Sequence, residues 1–338
     1  MLLSRLPVEF LPVDRSAGRL KTWLRLVEAI REARPDMVVM EGTGIAGGLA
    51  LLLSGVRYVV SSGDAVGPWV GQRHAWLGPL FALYERVLCA RAAGVIGWTP
   101  YLVGRALTFG ARRAMTAPGW GEPVTTGDRD AVRAEMRARA GIPRDALVVG
   151  IAGSLAWNER RQSCYGLELA RALNRVRRSD MHVLVVGDGS GREMLEREVR
   201  PELRARLHLA GRVPRAEVSR WLCAMDLASL PQTLDGVGLY RFTTKLAEYQ
   251  EARLPVLTGR LPAAYDLPGA WLRLPGDAPW AERYLSALAR VLDEIDGPRL
   301  AALRHRAEAA VTGGGASRAS QVETVTAFLR ELIEEGGA

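Results

Sequence analysis

The stretch LPQTLDGVGLYRFTTKLAEYQEARLPVL, residues 230–257, decides the fold. A short apolar strand over 227–230 runs into Pro231. A glycine-spaced loop follows with Asp235, Gly236 and Gly238, and then the polar cluster Arg241, Thr243, Thr244 and Lys245. A helical run carrying Glu248 leads to a second apolar strand over 255–258. In an open α/β sheet, ligands bind at the carboxyl ends of strands. Free N–H groups at a helix start there favour phosphate. The stretch reads as the floor of a site for a diphosphate ligand.

The same rhythm extends in both directions. Upstream in the second half, strands are predicted over 147–152, 182–186 and 207–210, with helices over 163–176, 192–199 and 214–224. Helices over 279–294, 299–310 and 322–335 follow, the last an amphipathic helix after the linker 313–317. The first half is predicted to hold strands over 8–13, 37–40, 58–61, 95–97 and 113–117. Helices over 20–33, 49–53, 79–93 and 100–109 lie between them, and a Gly/Pro loop over 118–127 closes the half. This alternation implies parallel sheets and an α/β fold. A charged helix over 128–140 ends at Gly141-Ile142-Pro143, and the domain junction falls here. The expected organisation is an N-terminal lobe over 1–127, a C-terminal lobe over 128–317, and a terminal helix over 318–338 packing back on the first lobe.

Composition sets the bounds. The chain has 338 residues, which suits two domains of about 150 residues each. A net charge of +8 suits an anionic ligand or an acidic membrane surface. No Lys/Arg run with interleaved aromatics points to nucleic acid. Three cysteines, widely spaced and without a CxxC, support neither a disulfide framework nor a zinc site, and fit a reducing cytoplasm. The N-terminal segment lacks the apolar core of a signal peptide, and no run approaches 18 apolar residues.

Three motifs have plainer readings. Gly42-x-Gly44-x-x-Gly47 opens a helix after a strand, with Asp64 20 residues past Gly44, the spacing of a dinucleotide fingerprint. It does not follow the first strand of its unit, and a close strand–helix turn needs glycine for any ligand. The run 187–191, Gly-Asp-Gly-Ser-Gly, lacks the third glycine of that fingerprint and reads as a tight turn. Asp128 and Asp130 resemble a metal-binding pair but open a helix, so a cap accounts for them better.

The loop GSLAWNERR, 153–161, is more informative. Gly153 and Ser154 follow a buried strand and let a ligand approach the backbone. Arg160 and Arg161 then sit where a guanidinium can fork onto phosphate. Arg241 and Lys245 lie past another strand end of the same predicted sheet, so several cations converge on one edge, as a leaving diphosphate requires. Asp235 and Glu248 are the matching carboxylates, able to accept hydrogen bonds from sugar and ribose hydroxyls. Taken singly, each also reads as a turn aspartate or an exposed helix glutamate.

The order of these features resembles the nucleotide-sugar domain of retaining GT-B glycosyltransferases (group 1, family 4-like). The basic glycine loop is followed by L-V-V-G-D-G-S-G, L-x-G-R-V-x-x-x-E-V, D-L-x-x-L-P, the acidic glycine loop, K-L-x-E-Y and L-P-V, over about residues 145–260. The first half is similar to the family's acceptor lobe through R-P-D-M-V-V, E-R-V-L and T-P-Y. The resemblance implies two Rossmann-like lobes facing a cleft. It also implies transfer of a hexosyl group from a UDP-, GDP- or ADP-linked sugar to an acceptor hydroxyl with retention. A lipid-linked or secondary-metabolite hydroxyl is among the acceptors it allows, with a weak peripheral contact at the inner membrane face. By position, Asp235, Lys245, Arg160 and Asp64 would be catalytic. Gly153, Ser154, Arg161, Arg212, Val213, Gly236, Gly238, Arg241, Thr244 and Glu248 would hold the donor, and Gly42, Gly44 and His74 would lie on the acceptor side. No metal and no cofactor are expected.

Several positions depart from the family pattern. Ser154 stands where the family has a basic residue, and Arg241 is expected to supply that contact. The first motif acid is Asp rather than Glu, and it lies 13 residues before Glu248, a longer spacing than usual. The N-lobe histidine is replaced by Gly63-Asp64, so Asp64 or His74 takes its place. The family's first strand and glycine loop would precede Val8, so the N-terminal lobe is expected to be shortened or the start misassigned. A catalytically degenerate relative acting as a binding or regulatory partner, a nucleotide-sugar epimerase and an NAD-dependent enzyme stay open as alternatives.

Overall fold

Short apolar runs alternating with helices build two separate parallel sheets. The computed structural model describes residues 6–10, 18–72, 74–118, 128–312 and 318–336. The chain divides into two units. The first comprises 1–119, 240–243 and 316–338, and the second 120–239 and 244–315.

The first unit carries β1 (Val38–Glu41), β2 (Tyr58–Ser62), β3 (Gly94–Gly97) and β4 (Ala114–Thr116), paired in that order and all parallel. Right-handed crossovers that step in one direction leave their helices on one face. Accordingly, the helices Ile45–Ser54, Gly78–Arg91 and Pro100–Thr108 share a core with the helix Arg19–Ala33, through Ile30, Leu51, Leu88 and Ala106 against Tyr58, Val60 and Val95. Strand residues alternate in direction, so Val59 and Ile96 face the other side. There they meet Val325, Leu329 and Leu332 of the helix Arg318–Glu334. Arg57 donates to the Leu332 carbonyl, and Arg113 pairs with Glu331 and Glu335.

Two local expectations change in this unit. The described residues 6–10 form no strand, and the rest of the run 8–13 lies outside the described residues. Between β2 and the helix Gly78–Arg91, where no element was expected, the chain forms the helix Val66–Gly71 and the turn Ala75–Leu77.

The second unit has six parallel strands: β5 (Leu147–Ala152), β6 (Met181–Val186), β7 (Leu207–Gly211), β8 (Leu227–Leu230), β9 (Val256–Gly259) and β10 (Trp271–Leu274). Their order across the sheet is β10-β9-β8-β5-β6-β7. β5 and β6 are buried along their full length, as strands covered on both faces must be. Val149, Ile151, Val183 and Val185 pack against Leu169, Leu173, Leu288 and Leu292. Each such side chain contributes about 1.5–3 kcal/mol by leaving water.

The helix expected over 163–176 is limited to Leu167–Leu173; its start is set by Gly166, which adopts a left-handed φ of 89°, and Asn174 ends it. β10 and the helix Ala263–Asp266 were not anticipated. Asp128 caps the helix Arg129–Ala140 by accepting from the Asp130 and Ala131 N–H groups. That helix is anchored to the sheet by buried Asp226, which takes Arg137 at 2.8 Å, the Val148 N–H at 2.7 Å, and also Arg133 and Arg304.

The strand order reverses at β5, which pairs with β6 on one side and β8 on the other. The connections after β5 and β8 leave in opposite directions, and a crevice opens between them.

Candidate active site

Three loops are tied together at the carboxyl edge of the second sheet. The Gly153 N–H donates to the Val186 carbonyl, Leu155 N–H to Asp188, Gly191 N–H to Leu155, and Gly187 N–H to Gly211. The Trp157 N–H donates to Ser190 Oγ at 3.0 Å. Gly187 sits at φ 146°, and a Cβ there would stand 1.8 Å from the Gly153 carbonyl oxygen. The glycines of 187–191 thus form a turn, as its spacing indicates, and that turn is the bed on which the loop after β5 rests.

On this bed Lys245 closes over Gly153. Gly153 lies at φ 154°, and a Cβ on it would meet Lys245 Cε at 2.6 Å and Nζ at 2.9 Å. The ammonium also stands 4.2 Å from the centroid of the Tyr165 ring. Lys245 belongs to the first turn of the helix Thr244–Glu251, three residues before Glu248, so the two share one helix face. Tyr249, fully buried beneath them, fixes this helix. Its hydroxyl donates to the Ser229 carbonyl at 3.1 Å and accepts from the Ala152 N–H at 3.4 Å. The ends of β5 and β8 therefore jointly set the height of Lys245. Sequence reasoning passed over Tyr249, although its place directly after Glu248 marks the opposite, inward face of the helix.

Asp235 organises the glycine loop. Its carboxylate accepts from the Thr233 hydroxyl at 2.7 Å, the Gly238 N–H at 2.9 Å and the Val237 N–H at 3.0 Å, with Arg161 at 3.5 Å. Partial burial would raise its pKa, but these hydrogen bonds and Arg161 outweigh burial and hold it below the usual carboxylate range. Arg161 in turn lies 5.9 Å from the Trp280 ring centroid. Arg160 is exposed, as are Ser154, Arg212, Gly236 and Thr244, while Val213 is half-buried and Gly238 is buried. Of the two loop arginines, Arg161 is the one drawn to Asp235.

A second buried acid was missed. Glu168 is fully enclosed, accepting from Ser229 Oγ at 2.7 Å and from the Gly166 N–H at 3.2 Å. Burial pushes its pKa up to about 7 against the opposing pull of those hydrogen bonds. An apolar helix face gave no sign of it in the sequence.

The remaining candidates lie in the first unit. Asp64 follows β2 and pairs with Arg241 through two contacts, Nε–Oδ1 at 2.8 Å and Nη2–Oδ2 at 3.2 Å. Arg241 was expected beside Arg160 and Lys245. It belongs instead to the segment 240–243 of the first unit, where its charge is spent on Asp64. The same segment is held by Thr99, whose hydroxyl donates to the Tyr240 carbonyl at 2.8 Å, and by the Arg105 guanidinium, 5.4 Å from the Tyr240 ring centroid. The Gly42 N–H donates to the Ser61 carbonyl, and Gly44 precedes the helix Ile45–Ser54. His74 is exposed beyond the helix Val66–Gly71, where its N–H donates to the Val70 carbonyl and its carbonyl accepts from the Leu77 N–H. Among the described residues, no three His, Cys, Asp or Glu side chains gather as a metal site requires.

Two parallel α/β sheets, the second with a polar, cation-bearing crevice at its switch point, define a GT-B protein. Residues 146–294 match the family model for glycosyl transferases group 1, and residues 3–118 match the glycosyl transferase 4-like domain. Together the two matches span most of the chain, which belongs to this glycosyltransferase family. Among solved structures it is similar to HepE of Anabaena in complex with UDP-glucose, with a TM-score of 0.68 and 17% identity over 96% of this chain and 86% of that one. It is also similar to sucrose-phosphate synthase from Thermosynechococcus elongatus, with a TM-score of 0.67 and 15% identity over 98% and 83% of the two chains. A third is the UDP-forming α,α-trehalose-phosphate synthase of Burkholderia xenovorans with glucose-6-phosphate, with a TM-score of 0.64 and 15% identity over 95% and 79%. Compared by sequence with curated proteins, the chain has no match.

Proposed function

We propose that this glycosyltransferase moves a hexosyl group from a UDP-linked sugar to an acceptor hydroxyl with retention of configuration. The placement of Lys245 over Gly153 carries the reading. It puts an ammonium at the switch-point crevice, against the backbone of a residue that has no side chain of its own. The anomeric carbon–oxygen bond breaks as the new glycosidic bond forms on the same face, and the diphosphate leaves toward Lys245 and Arg161. A departing phosphate oxygen takes the acceptor's proton, so no separate base is required. Preorganised charge of this kind is worth far more at the transition state than in the ground state.

In this reading Glu248 binds the ribose hydroxyls, and Arg212 and Val213 border the base. Asp235 acts on the donor through the loop it folds and through Arg161. Asp64 serves the acceptor. The choice of uridine is supported by the UDP complex of HepE and by the UDP-forming synthase, both of the same fold. Release of UDP from UDP-glucose, with and without added acceptors, tests it. Lys245→Met should lower that release by about 10²–10³-fold in a folded protein. Thermal shift with NAD and with none of the UDP-, GDP- or ADP-sugars would overturn the reading.

A further inference from the structure

The second unit holds a further concavity, an open groove of about 370 Å³ between three helices. Arg171 and Arg175 come from the helix Leu167–Leu173 and the turn after it. Glu198 ends the helix Arg192–Glu198, and Glu282 starts the helix Glu282–Glu294. Half-buried Trp280 precedes that last helix and lines the groove, and buried Leu285 adds to its apolar part. The volume falls in the range of small-molecule sites. Its walls are braced before anything binds. The Asn174 amide donates to the Glu198 carbonyl at 2.8 Å, and its side-chain oxygen accepts from the Arg200 N–H at 3.0 Å. Arg175 grips Glu282 through both terminal amines, one contact at 2.9 Å, and Arg171 meets Glu198 at 3.2 Å.

The groove therefore carries two guanidiniums and two carboxylates, and their charges cancel. Hydrogen bonds from Arg175 and Ser286 hold the Glu282 carboxyl well below the usual range, so the balance lasts through neutral pH. That balance decides the occupant. A phosphate or carboxylate ligand drawn to the arginines would meet Glu198 and Glu282 beside them. A wholly apolar ligand would desolvate four ionic groups and pair with none. A neutral pyranose suits the whole lining. Each of its hydroxyls both donates and accepts, so a row of them can lie across neighbouring guanidinium and carboxylate groups. Its C–H face is attracted to the electron-rich face of an indole ring. We infer that this groove binds a neutral hexopyranose unit of an oligosaccharide, stacked on Trp280 and hydrogen-bonded to the Arg171–Glu198 and Arg175–Glu282 pairs. The site is distinct from the donor crevice but shares a wall with it. The Arg161 guanidinium lies 5.9 Å from the Trp280 ring centroid, so a bound saccharide is one side chain away from the arginine drawn to Asp235.

Saturation-transfer difference NMR on the full chain tests this, with UDP added in excess so that the donor crevice is not what is read. The probes are maltotriose, cellotriose, mannotriose and galactotriose, with glucuronate and adenosine for comparison. At least one neutral trisaccharide should give a signal, strongest on its ring C–H protons. Trp280→Ala should weaken its binding by about tenfold or more, and Trp280→Phe, which keeps a ring, should weaken it less. Arg175→Met should cost about three- to tenfold. Arg175 and Glu282 form an exposed pair, so this variant should melt as the wild type does. It should also leave the thermal shift with UDP-glucose unchanged, a separate reading that keeps a failure here distinct from a failure of the proposed transfer. No signal from any neutral trisaccharide, or tighter binding of glucuronate or adenosine, would overturn the inference. So would saccharide binding that neither Trp280→Ala nor Arg175→Met alters.

Discussion

The Lys245 side chain occupies the space that a Cβ on residue 153 would need. A glycine in one strand-end loop and a lysine in a helix 92 positions later are thus a single fitted unit. Gly153→Ala should push the ammonium aside and place a side chain at φ 154°, which non-glycine residues rarely adopt. Turnover should fall by about ten- to a hundredfold, while circular dichroism stays unchanged. Steady-state kinetics on UDP-glucose checks it, and wild-type turnover in the alanine variant would deny the coupling.

Tyr249→Phe isolates the other half of that fit. It removes one hydroxyl from a dry site and leaves the Ser229 carbonyl without its partner. Denaturant unfolding should report a loss of about 1–3 kcal/mol. If Tyr249 positions Lys245, donor KM should rise as well. A stability loss with donor KM untouched would make it a core residue only.

Glu168 predicts a pH dependence of stability. Its pKa in the folded chain is about 7, against an ordinary value of 4.5. Between those values the folded state holds a proton that the unfolded state has released. Stability should therefore be greatest below about pH 4.5, as far as this group is concerned, fall as pH rises to about 7, and then level off, by a few kcal/mol in all. Glu168→Gln should flatten that slope in unfolding experiments from pH 5 to 8. An unchanged slope would place its source elsewhere.

The Asp64–Arg241 pair should contribute little to stability, because both side chains are more than a third exposed. Arg241→Ala should change unfolding free energy by under about 1 kcal/mol. If Asp64 serves the acceptor, as proposed above, the same substitution should still raise acceptor KM several-fold while donor KM moves little. The reverse pattern would restore Arg241 to the donor.

Much of the architecture was legible because its causes are local. Val59 and Val60 point to opposite faces of a strand, Asp128 starts a helix, and Gly141 ends it. Gly153, Lys245 and Asp235 could be singled out because strand ends concentrate polar chemistry. What escaped reading depends on partners distant in the chain. Arg241 resembles every other loop arginine until Asp64 is placed beside it. Glu168 looks like an ordinary first-turn acid until the sheet closes over it. The helix expected over 163–176 starts late because of one backbone angle at Gly166, which a hydrophobic pattern does not encode. β10 is a brief edge strand whose alternation is too short to register.

The helix Arg318–Glu334 gives the chain an order of assembly. The first sheet is complete at Thr116, but the cluster that buries Val59 and Ile96 also needs Val325, Leu329 and Leu332. On the ribosome the second unit has all its strands in hand while one face of the first is still incompletely covered. Residues made late seal a sheet made early. A premature stop just before Arg318 would therefore damage the first unit, leaving its core open to chaperones and proteases.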